Sequence, residues 1–501
     1  MRKLLSVILL ISLLLSVISC GDSGSKTADD NSSPSSEGEQ TSAETAAETT
    51  TEAPYVYINT LAEVDMEGAE IHFIAFDGGY QEMIINDIDT DSETGAALND
   101  ALYRRNRQIE EQYNCVIVTA HDEDSNKVTT TLTKDVMSGE CLYDIIDNTT
   151  VTMASAITGG YLIDMANLPY VDYSQPWWLS DAVNNLSIAK KNFVTISYAN
   201  HLANDVAWGT MFNKYLFDSY GFEYPYQAVK DGKWTLDMMN ELMKVVPIDS
   251  NGNGMTDGDD MFGCIGQYFD AAALMTGFGV DYFRKDNDDI PYFALDEASN
   301  ADKFDKCFDF MTDDAKFLIV EKYNGKYSNV WDEIWAGGFI NDRGLFMLNC
   351  AGNLISFTNM DHDFGFLPMP KLDENQQNYR SMTSLWFTTC FGVSSGHKNS
   401  LENIGLMLEA MSFYSYTDVE DIYNRTYLSN RFIRDEESVE MLALISSSKH
   451  FDPGLVFNWN GALQTAQNII SGGKNTFAST VAKSKQSVEK SVEKTVSSIE
   501  G

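Results

Sequence analysis

Between Ala69 and Ile157 the apolar residues switch back and forth between two periods, and this alternation constrains the fold more than any other feature. Ala69 to Phe76 alternates with period two, as a strand with unlike faces does. Ala96 to Gln112 carries Ala97, Leu98, Ala101, Leu102 and Ile109 at helical spacing, with Arg104, Arg105 and Arg107 among the polar positions. Cys115 to Thr119 returns to a strand, 127–138 to a helix, Tyr143 to Ile146 to a strand, and Val151 to Ile157 to the start of a helix. Strands that alternate with helices predict an α/β body with a largely parallel sheet.

The later sequence is mixed. Asn192 to Tyr198 reads as a strand, and Trp208 to Tyr220 as part extended, part helical. Thr235 to Lys244 predicts a helix with Thr235 as its N-cap and Pro247 just past its end. Met261 to Gly266 reads as strand or loop. Leu345–Leu348, Phe364–Leu367 and Leu385–Val393 are short apolar runs that fit strands. Leu401–Tyr414 and Ser438–Ile445 read as helices. Val481, Val488, Val492, Val496 and Ile499 form a narrow stripe on a polar terminal helix.

The first twenty residues set the compartment. Arg2 and Lys3 precede an apolar run, Leu4 to Ser19, that is too short for a permanent span. Small residues then lead into Cys20, as in a bacterial lipobox, so the cysteine is expected to be lipidated (palmitate included) and to become the mature N-terminus. Residues 21–54 contain no Val, Leu, Ile or aromatic residue and predict a flexible tether rather than a core. With 34 Lys and Arg against 74 Asp and Glu, the net charge is −40, which argues against nucleic-acid or anionic-lipid binding. The remaining six cysteines, Cys115 to Cys390, show no metal spacing and read mostly as small buried hydrophobes.

Asp249 to Asp260 is the sharpest local signal. It places oxygen side chains at Asp249, Asn251 and Asn253, a glycine at Gly254, a backbone carbonyl at Met255, and further oxygens at Asp257 and Asp260. Calcium needs six to eight oxygens from a loop that folds around it, and this spacing supplies them. Asp260 stands where Glu is usual. No second helix is expected after the loop, so calcium is expected to clamp structure rather than signal. Gly392-Val-Ser394-Ser-Gly396 matches a nucleophile-elbow pattern, but His397-Lys-Asn-Ser400 stand between the motif and the next helix, with Ser400 as its cap, and His397 reads as a surface residue. Among the aromatics, Tyr80, Trp208, Trp335 and Trp386 fall beside polar residues near predicted strand ends, where ligands of parallel sheets sit. Flat aromatic faces there suit the apolar patches of sugars or peptides. Trp234, at a helix start, reads as structural.

These segments together resemble the bacterial extracellular solute-binding proteins of family 1, the lipoprotein receptors of ABC importers. The resemblance is carried, in order, by the lipobox at Cys20, Glu93 to Asn106, Tyr143-Asp-Ile145, Gly232 to Thr235, the Asp249–Asp260 loop running into Phe262-Gly263, and Phe364 to Lys371. It implies a two-lobed, type II periplasmic-binding-protein-like α/β fold with hinge crossings and an interlobe cleft. The implied layout is a signal peptide at 1–19, a tether at 20–54, and a mainly N-terminal lobe at 55–200. A mainly C-terminal lobe at 201–390 follows, then a hinge return, closing helices and tail at 391–501. By position it implies Tyr80 and Thr149 as first-lobe ligand contacts, with Trp208 and Trp386 nearer the centre. The implied function is delivery of a solute, most often a sugar or oligosaccharide, to ABC permease subunits by a monomer held outside the cytoplasmic membrane by its lipid. A secreted hydrolase, using Ser394 or a carboxylate pair, and a surface adhesion or sensing protein are the alternatives.

Overall fold

The chain builds two separate sheets, and it crosses between them more than once. The structure, a computed structural model, describes residues 61–77, 88–201, 206–247, 249–254, 257–423 and 436–500. The strands, in order, are β1 (Ala69–Phe76), β2 (Cys115–Asp122), β3 (Ile145–Thr149), β4 (Trp208–Asn213) and β5 (Phe262–Gly266). A small hairpin follows, β6 (Phe283–Lys285) and β7 (Pro291–Phe293). Then come β8 (Phe317–Ile319), β9 (Gly344–Cys350), β10 (Phe364–Pro368), β11 (Ser381–Met382), β12 (Thr389–Val393) and β13 (Lys449–His450).

The first sheet has the order β12-β3-β1-β2 and the second β10-β4-β9-β5-β8. Within the first, β1, β2 and β3 run parallel and β12 antiparallel. The parallel strands follow the alternation read from Ala69 onward, because the helices Ala97–Tyr113 and Ser125–Ser138 supply the crossovers. The second sheet departs from the expected parallel arrangement. β5 is parallel to β8 and β9, but β4 runs antiparallel to both β9 and β10.

Two crossings lie against each other. Thr195 pairs with Phe391 beside the first sheet, its N–H donating to the Phe391 carbonyl at 3.0 Å, with the reverse bond at 2.8 Å. Ala207 pairs with Thr383 beside the second, and the Ser384 N–H donates to the Val206 carbonyl at 3.1 Å. At each of these two places the outgoing and returning chains therefore meet as antiparallel neighbours. Asn192–Tyr198, expected as a strand, makes only such isolated bridges, and β12 starts at Thr389 rather than Leu385. A third passage follows helix Leu401–Tyr414, which belongs to the first-sheet core, and leads to helix Glu436–Ser447 and to β13, which pairs with β11. No helix among the described residues is long and apolar enough to cross a membrane.

Local signals set several boundaries. The Ser400 hydroxyl accepts the Asn403 N–H at 3.2 Å and caps Leu401–Tyr414, and Thr235 caps Leu236–Met243 through the Met238 N–H at 3.3 Å. Trp234 is fully buried, its Nε1 donating to the Pro368 carbonyl at 2.9 Å. The terminal helix, Phe477–Glu500, docks by its predicted stripe, and Val481, Val488, Val492, Val496 and Ile499 are all buried. The described cysteines are free, and all but the half-buried Cys141 are buried.

One buried acid fixes the first lobe from within. Glu409, on helix Leu401–Tyr414, accepts Trp177 Nε1 at 3.0 Å on one oxygen and Trp178 Nε1 at 2.8 Å on the other, with the Asp172 N–H at 3.3 Å. Burial pushes its carboxyl up to about 7, against the pull of these three donors. Glu409→Gln offers one acceptor oxygen in place of two and turns an amide donor toward an indole N–H. It is expected to cost about 1–3 kcal/mol, read as a lower urea midpoint with unchanged slope. A wild-type midpoint would show that the paired acceptors carry no stability.

Candidate ligand-binding site

A cavity of about 740 Å³ opens where the crossings meet the second lobe. Trp208 enters it from the first residue of β4, and Gln267 and Phe269 from the turn after β5. Glu321 comes from the turn after β8, and Cys350 and Asn353 from the end of β9 and beyond. The parallel strands β5, β8 and β9 thus present their carboxyl ends to it, the ligand position of open α/β sheets. The π-helical turn Trp331–Ala336 contributes Trp331, Asp332 and Trp335. The returning crossing contributes Ser384, Trp386 and Phe387, and the C-terminal region Gln464 and Gln467.

Four of the chain's eight tryptophans line this one space. Trp331 and Trp335 meet edge to face with centroids 6.0 Å apart, and Trp208 packs on Phe269 at 5.4 Å. Trp386 is 53% exposed, which is unusual for so large an apolar side chain. Trp335 Nε1 is buried without an acceptor among the described residues. Apolar plates interleaved with amides and hydroxyls make a surface that can take a flat-faced, hydroxyl-rich molecule.

A second buried carboxylate holds part of this wall. Asp270, wholly buried, accepts Trp208 Nε1 at 2.9 Å and the Gln267 N–H at 2.8 Å, so one side chain fixes two lining residues. A Cβ on Gly266 would sit 2.5 Å from its Oδ2, so the close approach of strand and carboxylate needs glycine there. Burial pushes Asp270 up to about 8. Its two donors oppose the shift, and the nearby Glu321 charge adds to it. Burial also raises Glu321, whose two oxygens accept the Tyr268 N–H at 3.2 and 3.1 Å.

Of the residues singled out in the sequence, Trp208, Trp335 and Trp386 come together in this cavity. Thr149 ends β3, is fully buried, shares a hydroxyl contact with Thr152 at 3.2 Å, and is not part of the cavity's described lining. Tyr80, Met255 and Cys20 lie outside the described residues. Sequence reasoning missed Gln267, Glu321, Trp331 and Gln464. The positions of Gln267 and Glu321, just past short apolar runs, were the available signal. Ser394 is buried in the first lobe, its Oγ accepting the Gly396 N–H at 3.1 Å, while the His397 ring faces the Asn399 carbonyl at 2.8 Å. No serine–histidine pair forms there.

In the Asp249–Asp260 loop, Gly252 and Gly254 adopt left-handed φ of 73° and 84°, as the turn requires. Asp260 is almost fully buried and knits the loop together, accepting the Asp257 N–H at 2.9 Å and the Asn251 N–H and Ser250 hydroxyl at 3.2 Å. Burial opposes its ionisation, but these donors outweigh it and lower its pKa. Asp249 accepts the Gly254 N–H at 3.0 Å on one oxygen, and its other oxygen is buried without a partner among the described residues. That orphaned oxygen, in an all-oxygen donor set, fits a hard cation. Among the described residues no three acidic, histidine or cysteine side chains already converge as a ready metal cluster.

No family model matches the sequence, and no curated protein shows significant similarity to it. Solved structures do match. An ABC substrate-binding protein from Listeria monocytogenes in complex with cycloalternan aligns over 85% of this chain and 100% of its own, with TM-score 0.54 at 14% identity. A cyclo/maltodextrin-binding protein complexed with maltotetraose aligns over 87% and 97%, with TM-score 0.55 at 13% identity. The chain has the type II periplasmic-binding-protein fold. A cyclic α-maltosyl-1,6-maltose binding protein from Arthrobacter globiformis shares it over 85% of this chain and 99% of its own, with TM-score 0.54 at 14% identity. The cavity lies against the two crossings between the sheets.

Asp270 makes stability depend on pH with a definite sign. Its folded pKa lies above its unfolded one, so the native state holds a proton that the unfolded chain has released between about pH 4 and 8. Stability should therefore fall as pH rises through that window, by up to about 1.4 kcal/mol per unit from this group. Asp270→Asn carries no titrating proton, so its melting temperature should fall less than wild type's between pH 5 and 8. Parallel curves would reject the assignment.

Proposed function

We propose that the chain is an extracytoplasmic receptor for an ABC importer that binds an oligosaccharide against the four cavity indoles and releases it chemically unchanged. The observation that carries this reading is the gathering of Trp208, Trp331, Trp335 and Trp386 beside the crossings, among amides and hydroxyls. Stacked plates cover the apolar faces of sugar rings, while Gln267, Asn353, Ser384 and Gln464 can exchange hydrogen bonds with hydroxyls. The saccharides held by the structural neighbours support the same class. A ligand that touches both lobes favours the closed form by its differential contacts, and a permease can read that shape. No serine–histidine pair accompanies Ser394, and Asp270 spends its oxygens on Trp208 and Gln267, so binding without turnover is the chemistry that the residues support.

A thermal-shift series with maltotetraose and cyclic tetrasaccharides tests this. A ligand at about 100 times its Kd should add about 2.7 kcal/mol to native stability, with no products on prolonged incubation. Trp386→Ala should leave the ligand-free melt unchanged, because the side chain is exposed, and weaken binding at least about tenfold, or about 1.4 kcal/mol. Products in the incubation, or full affinity in Trp386→Ala, would reject the reading.

The proposal extends to the two ends of the molecule's life outside the cell. Lipid on Cys20, followed by the core-less tether 21–54, would hold the receptor near its permease. Calcium in the Asp249–Asp260 loop would be held by Asp249, Asn251, Asn253 and Asp257, with the Met255 carbonyl and Asp260 completing the set, and would supply a structural clamp only. A chelator should lower the melting temperature and added calcium restore it. An unchanged melt together with no bound calcium would reject the clamp. Cys20→Ala should abolish lipid labelling, and normal labelling of that variant would reject the anchor.

A further inference from the structure

We propose that the cavity selects its saccharide by charge, accepting neutral and amine-bearing rings and rejecting carboxylate- or phosphate-bearing ones, with Glu321 and Asp332 as the selecting residues. This rests on the saccharide reading above and goes beyond it by naming the ligand's electrostatic class.

The wall of the cavity carries two carboxylates, Glu321 and Asp332, and its described lining includes no lysine, arginine or histidine. Among the described residues neither acid forms an ion pair. The donors to Glu321 among the described residues are uncharged backbone groups, its own N–H and the Tyr268 N–H. Asp332 takes the Asn329 side-chain amide at 2.5 Å. The nearest basic side chain in sequence, Lys322, is committed to Asp314. Two carboxylates thus face a space whose other walls are indoles, amides, hydroxyls and apolar side chains, with no basic side chain in the described lining.

The consequence follows from elementary electrostatics. An indole face presents negative density, so Trp208, Trp331, Trp335 and Trp386 add to the carboxylates rather than offset them. A hydroxyl can donate to a carboxylate, and an ammonium can do so with full charge assistance. A ligand carboxylate or phosphate has only acceptors and like charge to offer, and desolvating it beside an uncompensated acid is unfavourable. The chain's net charge of −40 acts in the same direction at longer range, although salt screens that part. Neutral polymers pay none of these costs.

The test uses matched trios built on α-linked and β-linked glucose tetramers: the parent, its C6-oxidised uronate and its C6-amino derivative. Calorimetric titration of the full chain should show the parent and the amine binding, and the uronate at least tenfold weaker. Glu321→Gln and the exposed Asp332→Asn remove charge with little change of shape, and each should narrow the parent-to-uronate gap at least threefold. A ligand-free melt shows whether either variant is folded, and Asp332→Asn, on an exposed side chain, serves if Glu321→Gln is not. A uronate that binds as tightly as its parent, or a gap unchanged in the folded variants, overturns the charge inference alone. If no member of either trio binds, the saccharide reading falls and takes this inference with it.

Discussion

Everything in this molecule depends on two chain segments that lie side by side between the sheets. Thr195 with Phe391 at one end, and Ala207 with Thr383 at the other, hold the outgoing and returning crossings as antiparallel neighbours. Among the described residues three backbone hydrogen bonds join them, Thr195 with Phe391 in both directions and the Ser384 N–H to the Val206 carbonyl. The same segments deliver the site. Trp208 follows one crossing by a single residue beyond the Ala207 bridge, and Ser384 and Trp386 ride on the other. The crossings and one part of the cavity wall are therefore built from the same stretches of backbone.

The protein solves one packing problem twice in the same way. Large indoles must be buried or half-buried at defined angles, and each indole N–H then needs an acceptor. In the first lobe Glu409 accepts from Trp177 and Trp178, and in the second Asp270 accepts from Trp208. Burial raises the pKa of both acids, so each fixes an aromatic wall at an electrostatic cost. Only the second wall faces the cavity, and there the orienting acid also fixes Gln267. The first is scaffolding, in which Trp177 meets Phe413 edge to face at 5.1 Å.

The sequence made visible what is local. β1 runs over Ala69–Phe76 because its alternation is uninterrupted, and helix Leu401–Tyr414 starts where Ser400 caps it. The stripe from Val481 to Ile499 announced a docked face, though not its partner. What depends on crossovers was hidden. Strand direction in the second sheet follows from how β4 and β10 are reached, and no residue pattern inside them records it. Helix Asp270–Gly277 is buried on every side and so has no period to read. Trp208, Trp335 and Trp386 stood out because aromatics beside polar residues at strand ends are uncommon in pure core. Glu321 and Gln464 did not, because only folding brings positions so far apart in the chain to one wall.

The placement of Trp386 has a physical consequence of its own. Its ring is open to water on a segment that joins the lobes, beside Ser384, whose hydroxyl accepts the Trp386 N–H at 3.2 Å. A molecule that covered this ring would take an indole out of water on the very chain that runs between the two sheets. With eight tryptophans in the chain, the share of its ultraviolet emission that comes from this solvent-open ring is the difference between wild type and Trp386→Phe.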